Sequence, residues 1–435
     1  MASTFDSAPC RALLSQDREA ARSRKLSFAT LAAVMPHALA LAVEVATTAL
    51  AVAGMGYFVA AMIAARRFVA SRRAKLAAFS PGVSILKSLK GLDPGMIDAF
   101  RSHCLQSYGG EYEMLFGVSS LADPAAAAVE QLQREFPERA IRLLECPESL
   151  GTNGKVSVLA QLVPHARYDF LLLNDSDITV GPRYLERVMD SFAQDPGVYP
   201  QNPQPVGLVT ALYRGRAHDT FASRLEALGI ATDFQAGVLL SKMIEGGLRY
   251  GLGSTLAVRR AALEHIGGMA SLLDYLADDY ELGARVARAG YRVELSPEVV
   301  ETAIAAYGWR GFVDHQLRWA RTVRDARPWG YAGLIFTHGL GWALLNVLAS
   351  GLSPLSLWLL GMSFFLRLTL AMMVGAEVLG DHQVLPNLWL LPLRDAVAMG
   401  IWVAGFAGNR IVWRGERFTL EDGRLIKVDE RSLNS

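Results

Sequence analysis

Two long apolar blocks at opposite ends of the chain place the strongest limit on how it can fold. Residues 26–65 contain one charged residue, Glu44, and residues 330–409 contain five. A helix of about 20 apolar residues can cross a bilayer, and residues 45–65 meet this requirement. The mean hydropathy of +0.23 fits membrane segments fused to a soluble domain.

Basic residues follow the first apolar block at once: Arg66, Arg67, Arg72, Arg73 and Lys75. By the positive-inside rule, the chain after them lies in the cytoplasm. A cleaved signal peptide is the competing interpretation, but the apolar stretch is too long and lacks a convincing small-residue cleavage site. Residues 26–43 could form a second short span, in a hairpin with Glu44 at its turn, or an interfacial helix.

The second apolar block contains three candidate spans, at residues 330–350, 355–378 and 388–407. Arg367 and Arg394 lie in or near these spans, and a charge in lipid is costly, so both should face protein, water or a headgroup. Three full spans would put the C-terminus outside, whereas the basic residues that follow favour the inside. A segment lying in the interface would remove this conflict, and the number of true spans stays open.

Between the blocks, short β-type runs alternate with helical patterns, which predicts a soluble α/β domain with a largely parallel sheet. Residues 123–136 have helical spacing. The β-type runs are residues 83–86, 114–118, 141–144, 170–173 and 206–212. The predicted domains are an N-terminal tail and membrane anchor (1–75), the α/β domain (76–327), C-terminal membrane helices (328–409) and a basic tail (410–435).

Charge and cysteine content exclude several classes of protein. The formal net charge is +1, so no global basic field indicates nucleic acid as a partner. The three cysteines, Cys10, Cys104 and Cys146, form no CxxC pair, so neither a zinc site nor a disulfide framework is indicated. We expect reduced thiols in a cytosolic compartment.

An apolar run ends in two carboxylates, Asp175 and Asp177. Ligands of open α/β sheets bind at the carboxyl ends of strands. Two aspartates separated by one residue can hold one Mg²⁺ or Mn²⁺, which prefers oxygen ligands and leaves positions for phosphate oxygens. Such an ion would neutralise the charge on a nucleoside-diphosphate leaving group. A polar turn after a strand is the alternative interpretation of this motif.

Two further motifs add charged and aromatic side chains. Asp278, Asp279 and Glu281 open a helix, where carboxylates also occur simply because they offset the helix dipole. The stretch 315–319 contains Arg318, which can bind phosphate through two donors, and a tryptophan that can form a wall for a sugar ring. A basic amphipathic helix on a membrane surface explains the same stretch. In the loop 151–155, a lysine could approach a phosphate.

In their order along the chain, these stretches resemble the ceramide glucosyltransferases of glycosyltransferase family 21 and the related bacterial transferases of hopanoid synthesis. The resemblance covers most of the chain, and its order is more specific than any single motif. It implies a GT-A type nucleotide-sugar-binding domain with N-terminal and C-terminal transmembrane or interfacial helices. The matching stretches are PGVSILKSLKGLDP, NGKVSVLAQL, NDSDITV, GLVTALYRG, LADDYELGARVARAGYRVELS, LPLRD and IVWRGERFTL.

The resemblance also implies roles for single residues. Asp279 would be the catalytic base, and the divalent metal, Mg²⁺ or Mn²⁺, would lie on Asp175 and Asp177. His315 departs from the family pattern, which has Gln or Arg three residues before Arg-Trp, and its charge depends on pH. The nucleotide-sugar donor would contact Lys87, Asp123, Lys155 and Asp175. The remaining catalytic residues would be Arg318, Trp319 and His315.

The implied enzyme is an inverting hexosyltransferase that moves a hexose, glucose, from a UDP-sugar to the primary hydroxyl of a membrane lipid, ceramide. N-acetylglucosamine transfer to a hopanoid polyol is the close alternative. A processive polysaccharide synthase and a non-catalytic membrane protein are the more distant ones. The expected location is a bacterial inner membrane, with the catalytic domain in the cytoplasm. The predicted partners are the UDP-sugar, the lipid acceptor and the membrane, with no nucleic acid and no protein partner.

Overall fold

The computed structural model describes residues 8–72, 79–194, 204–413 and 416–427, with the backbone alone for residues 8–37. In this part of the chain, helices surround one large sheet, and a small sheet follows the last helix. The strands are β1 (Val83–Leu89), β2 (Tyr112–Val118), β3 (Ala140–Glu145), β4 (Phe170–Leu173), β5 (Ile178–Thr179), β6 (Val206–Arg216), β7 (Leu256–Arg259), β8 (Arg292–Ala303), β9 (Arg410–Trp413), β10 (Glu416–Glu421) and β11 (Arg424–Lys427).

The α-helices are α1 (Ala8–Ser71), α2 (Met96–Cys104), α3 (Pro124–Glu135), α4 (Gly154–Leu162), α5 (Tyr184–Asp190), α6 (Phe221–Gly229), α7 (Gln235–Glu245), α8 (Arg260–His265), α9 (Asp278–Arg288), α10 (Trp309–Ala326), α11 (Pro328–Gly333), α12 (Gly339–Ala349), α13 (Pro354–Ala371), α14 (Val384–Asn387) and α15 (Leu391–Gly405). A π-helical segment, Ile230–Phe234, joins α6 to α7, and another, Met372–Val378, extends α13. Side chains begin several helices by accepting backbone hydrogen bonds, as Asp123 does for α3 and Asn153 for α4.

The large sheet has the strand order β3-β2-β1-β4-β7-β6-β8-β5. Strands β3, β2, β1 and β4 are parallel, but β7 is antiparallel to both of its neighbours, so the sheet is mixed rather than largely parallel. Alternate residues pack on opposite faces, Ile85 and Leu172 in one core and Leu86 and Leu171 in the other. The carboxyl ends of β1, β2 and β4 therefore meet at one edge.

Helix α1 runs without a break through Glu44, so the predicted hairpin with a turn at that residue is wrong. Interactions with α12 hold the helix at this level: Asn346 Nδ2 donates to the Glu44 carbonyl at 3.1 Å and to Thr48 Oγ1 at 2.8 Å. Further along α1, Gly54 packs directly on Gly339, where a Cβ on Gly54 would lie 2.2 Å from the Gly339 Cα. Such close contacts are typical of helices packed within a membrane.

Three helices in the described part of the chain are long and apolar enough to span a membrane: Ala38–Ser71, Pro354–Val378 and Val384–Gly405. A fourth candidate is the pair Pro328–Thr337 and Gly339–Ala349, bent by 58°. These candidate spans are assigned from the length and composition of the helices. Contacts with the α/β domain show which helix ends lie beside it.

The chain returns to the α/β domain after α13. Arg72, at the end of α1, donates to the Val378 carbonyl at 2.6 Å and to the Pro297 carbonyl at 2.8 Å. The segment around α15 contacts the domain at both ends, through Gln383 on the Ala217 amide at 3.0 Å and through Arg324 on the Gly405 carbonyl at 2.6 Å. The chain therefore contacts the α/β domain again after the hairpin of α12 and α13, and both ends of the segment around α15 contact it.

The two arginines of the second apolar block face protein, one of the environments expected for them. Arg367 is 3% exposed and forms a two-pronged ion pair with Asp395, at 2.8 and 2.9 Å. It also donates to the Thr232 carbonyl at 3.1 Å, in the π-helical segment of the α/β domain. Arg394 is 7% exposed, and its nearest carboxylate, Asp233, lies at 3.9 Å. These pairs join α13 and α15 to the domain.

The region predicted as a basic tail, 410–435, contains a folded unit. Its described residues form a three-stranded antiparallel sheet, β11-β10-β9, called the C-terminal sheet below. Asp422 and Gly423 have φ angles of +50° and +79°, as a two-residue hairpin turn requires. The buried side chains of this sheet are Ile411, Phe418, Leu420 and Leu425.

Candidate active site

The loop after β4 holds the two aspartates of the predicted metal motif. Asn174 fixes the start of this loop, because its Nδ2 donates to the Ser254 carbonyl at 2.6 Å. Asp177 accepts a 2.5 Å hydrogen bond from Thr302 Oγ1, while the side chain of Asp175 is 43% exposed. Burial and the neighbouring charge of Asp175 raise the pKa of Asp177. Both carboxylates thus lie at the carboxyl end of β4, as expected.

Lys155 brings the second acidic motif to the first. Its Nζ lies 2.8 Å from Asp175 Oδ1 and 3.1 Å from Asp278 Oδ2. Burial alone would lower the pKa of Lys155, but the charges of Asp175 and Asp278 outweigh it, and the pKa lies above its ordinary value. The ammonium group is therefore a fixed positive charge between two carboxylates.

Asp279 lies in the first turn of α9, with its carboxylate held by two backbone amides. Gly253 N–H donates to Oδ2 and Tyr280 N–H donates to Oδ1, each at 2.8 Å. A Cβ on Gly253 would lie 3.1 Å from Asp279 Oδ2 and 3.4 Å from Asp175 Oδ2, so both carboxylates border the same point. Burial and the charge of Asp278 raise the pKa of Asp279 to about 6, although Lys155 opposes the shift.

Lys87 lies on β1, directly beneath the metal motif. It is fully buried, and its Nζ donates to the Asp175 carbonyl oxygen at 3.0 Å. Burial lowers the pKa of Lys87 to about 7 against the opposing charges of Asp177 and Asp175. In the structure this lysine supports the loop that holds both aspartates, and its predicted contact with the donor stays a prediction.

Asp123 joins the loop after β1 to the start of α3. Its carboxylate accepts from the Gly91 amide at 2.9 and 3.1 Å and from the Ala125 amide at 2.9 Å. Gly91 has a φ of +70°, which an L-residue rarely adopts. The side chain therefore shapes the loop at the carboxyl ends of β1 and β2, where a nucleotide was predicted.

Helix α10 holds the third motif, and an unpredicted carboxylate orients it. Glu226 on α6 is 2% exposed and lies 3.1 Å from His315 Nδ1. Gln316, buried on the same helix, donates to Glu226 Oε2 at 3.5 Å. The His315 ring lies 4.9 Å from the Trp319 ring, which also packs near Phe234. A glutamate inside an amphipathic helix gave no signal in the sequence.

Tyr213 connects the aspartates to α10. Its ring centroid lies 5.8 Å from that of Phe234, which lies 6.3 Å from that of Trp319. Burial raises the pKa of Tyr213, and the charges of Asp279, Glu226 and Asp175 raise it further. The Tyr213 phenol therefore lies within electrostatic range of both acidic motifs and of the carboxylate that pairs with His315.

The donor set fits a hard divalent cation that shares its coordination with a substrate. Among the described residues, no group of three or more His, Cys, Asp and Glu side chains could hold a metal ion. Mg²⁺ is commonly bound by one or two carboxylates together with substrate phosphates. Asp175, which is part-exposed, and Asp177, whose pKa is raised by burial and by a like charge, could supply two oxygen ligands of this kind.

The family of the chain follows from comparison with known proteins. A model of the family described as glycosyl transferase family 21 matches residues 46–426. The chain belongs to glycosyltransferase family 21. This family 21 enzyme is 24% identical over 360 residues to ceramide glucosyltransferase 3 of Caenorhabditis elegans. The aligned region covers 80% of the chain and 74% of that relative.

Two further similarities are more limited. The family 21 enzyme is 33% identical over 115 residues to ceramide glucosyltransferase of Komagataella phaffii. The aligned region covers 26% of the chain and 22% of that protein. A mannosyltransferase from Pyrobaculum calidifontis, solved in complex with GDP-Man and Mn²⁺, has 18% identity and a TM-score of 0.48. That match covers 84% of this chain and 99% of the mannosyltransferase.

Family membership confirms the resemblance predicted from the motifs and the predicted hexosyltransferase class. The predicted α/β domain with apolar helices on either side of it is also confirmed, by the large mixed sheet and by the candidate spans before and after it. The roles of single residues are not tested by these similarities and stay predictions.

Proposed function

We propose that this family 21 enzyme transfers glucose from a UDP-sugar to the primary hydroxyl of ceramide, with inversion at the anomeric carbon. One observation supports this most strongly: the buried carboxylate of Asp279, with its pKa raised to about 6, borders the same point as Asp175. A carboxylate with a pKa near the working pH is suited to act as a general base. The relatives named ceramide glucosyltransferase support ceramide as the acceptor.

The proposed reaction is a single displacement. Asp279 takes the proton of the acceptor hydroxyl as its oxygen forms a bond to the anomeric carbon. The bond from that carbon to the diphosphate oxygen breaks, and the electron pair leaves with UDP. The amides of Gly253 and Tyr280 hold the Asp279 carboxylate in place, so little rearrangement is needed before proton transfer.

The leaving diphosphate gathers negative charge, and positive groups would stabilise it. Asp175 and Asp177 would hold a Mg²⁺ or Mn²⁺ ion, which supplies charge neutralisation at the diphosphate when bound. Lys155, already placed on Asp175, adds a second positive charge to the same region. Arg318 would bind a phosphate oxygen, with Trp319 beside the sugar and His315 oriented by Glu226.

The membrane helices would present the acceptor to this site. Arg66 and Arg67 are exposed on α1 near its junction with the domain, which supports a cytoplasmic catalytic domain by the positive-inside rule. A bacterial inner membrane is the proposed location. A long-chain lipid could then keep its chains in the bilayer while its hydroxyl reaches Asp279.

The pH dependence of kcat/KM tests the state of Asp279. The base must be deprotonated, so activity should be lost as pH falls through about 6, the pKa in the folded enzyme. Asp278→Asn removes a charge that raises this pKa, and the acid limb should move to lower pH. A kcat/KM profile that is flat from pH 5 to 7 in the wild type would contradict the role.

Lipid analysis tests the acceptor directly. Purified enzyme with UDP-glucose, Mn²⁺ and a short-chain ceramide in detergent should release UDP and form a glucosylated ceramide, detected by mass spectrometry. UDP-N-acetylglucosamine and a hopanoid polyol provide the matched alternative pair. A glycosylated hopanoid without any glycosylated ceramide would overturn the proposed acceptor while leaving glycosyl transfer intact.

A further inference from the structure

The C-terminal sheet pairs with the segment that leads into Asp279. Leu276 N–H donates to the Gly423 carbonyl at 3.2 Å, and Leu425 N–H donates to the Asp274 carbonyl at 2.7 Å. Tyr275 and Arg424 form an antiparallel bridge between these two bonds. Residues 274–276, called the support segment, thus pair with the edge strand β11 and extend the C-terminal sheet by a short antiparallel segment.

Side chains strengthen this contact. Leu276 is 8% exposed and belongs to the apolar core of the C-terminal sheet. The guanidinium of Arg424 lies 5.4 Å from the Tyr275 ring centroid. The support segment is therefore packed as well as hydrogen-bonded.

The opposite edge of the support segment holds the loop before Lys155. Asn153 Nδ2 donates to the Tyr275 carbonyl at 2.7 Å, and Thr152 donates to Asp274 Oδ1 at 3.0 Å from both its amide and its hydroxyl. Asp278 and Asp279 begin α9 only two residues after Leu276. One short segment consequently determines the placement of the proposed base and of the lysine beside the metal motif.

The same sheet is tied to α10 and to the end of the membrane helices. Asp325 on α10 accepts a hydrogen bond from the Gly423 amide, inside the turn that contacts the support segment. Arg321 donates to the Arg410 carbonyl at 2.6 Å, and Arg324 donates to the Gly405 carbonyl at 2.6 Å. The helix that holds Arg318 and Trp319 is thus connected to the support segment through the C-terminal sheet.

We propose that the C-terminal sheet is a positioning element of the active site, with Asp325 and the turn at Gly423 as its connecting residues. It sets the support segment, and through it Asp279 and Lys155, against α10. Because the sheet directly follows α15, it also joins the membrane-associated end of the chain to catalysis. This inference rests on the proposed role of Asp279.

Substitutions at Asp325 in the full-length enzyme test the proposal. Asp325→Ala removes the acceptor for the Gly423 amide, whereas Asp325→Asn keeps an oxygen that can accept the same bond. Misplacement of a catalytic group by about 1 Å can cost 10²-fold, so we expect Asp325→Ala to lower kcat about tenfold. The KM for UDP-glucose should change less than about twofold, and Asp325→Asn should retain most of the wild-type kcat.

Two more variants make the result decisive. Leu276→Ala removes apolar side-chain contacts between the support segment and the C-terminal sheet. It should also lower kcat more than it changes the KM for UDP-glucose. Lys427→Ala is the matched control, because Lys427 lies in β11 but pairs with Glu416 at 3.1 Å, away from the support segment. Thermal melting and UDP binding are measured for every variant.

The outcomes separate positioning from folding and from the proposed function. An unchanged kcat in both Asp325→Ala and Leu276→Ala overturns the proposal. The proposal is also overturned if the loss of kcat in Asp325→Ala comes with a lower melting temperature and is equally large in Asp325→Asn. If Asp279→Asn itself keeps normal turnover, the proposed function fails instead, which is a different result.

Discussion

Asp279→Asn is expected to lower kcat by about 10³-fold, within the range that general-base catalysis contributes. The amide is nearly isosteric, and its single oxygen can still accept one of the two hydrogen bonds that Gly253 and Tyr280 donate to the carboxylate, but it cannot take a proton. Binding of UDP-glucose, measured by titration calorimetry in the presence of Mn²⁺, should stay within a few-fold of the wild type.

Glu281→Gln is the matched control for this variant. It removes a negative charge from the same first turn of α9, but Glu281 pairs with Arg285 at 3.1 Å, whereas Lys155 pairs with Asp175 and Asp278. Its kcat should remain near the wild-type value. Turnover by Asp279→Asn at a comparable level would show that another group accepts the proton.

The strands that place the site could be predicted because they are short apolar runs with few alternatives. The run before Asp175 matched β4 residue for residue, and helical spacing over residues 123–136 matched α3 to within a residue at each end. Because Asp175 and Asp177 directly follow the β4 run, the sequence placed both at the carboxyl end of a strand. Local patterns of this kind survive folding because burial and hydrogen bonding agree with them.

Pairings between distant parts of the chain could not be predicted in the same way. Lys155 forms ion pairs with Asp175 in a different loop and with Asp278, which is more than a hundred positions away, and no periodicity in the sequence indicates either pair. The contact of Glu226 with His315 could not be predicted either, because the two residues lie on different helices, α6 and α10. These contacts depend on how the sheet curls and on which helix covers which face.

The C-terminal sheet did have a local signal. Asp422-Gly423 between short alternating runs is a strong hairpin motif, yet the basic residues around it favoured a tail. The continuous α1 illustrates the opposite case, since Glu44 looked like a turn in isolation. Packing against α12, which supplies Asn346, keeps the helix straight at that level.

Removing the divalent cation is expected to have the second large effect. Transfer measured in EDTA should fall by at least about 10²-fold, because the charge of the departing diphosphate loses several kcal/mol of stabilisation. Asp175→Asn should produce a comparable loss that added Mn²⁺ restores only in part. Asp175 is the ligand to test first because its side chain is 43% exposed and borders the same point as Asp279.

A second readout keeps this prediction independent of turnover. Mn²⁺ binding followed by electron paramagnetic resonance, with UDP present, should weaken at least about tenfold in Asp175→Asn, because one charged ligand is lost. Asp169→Asn is the control, since Asp169 precedes the opposite end of β4 and its side chain is 88% exposed. Full transfer activity in EDTA would exclude the metal role. In that case Lys155, already 2.8 Å from Asp175, would be the positive charge nearest the leaving group, and Lys155→Met should then abolish transfer.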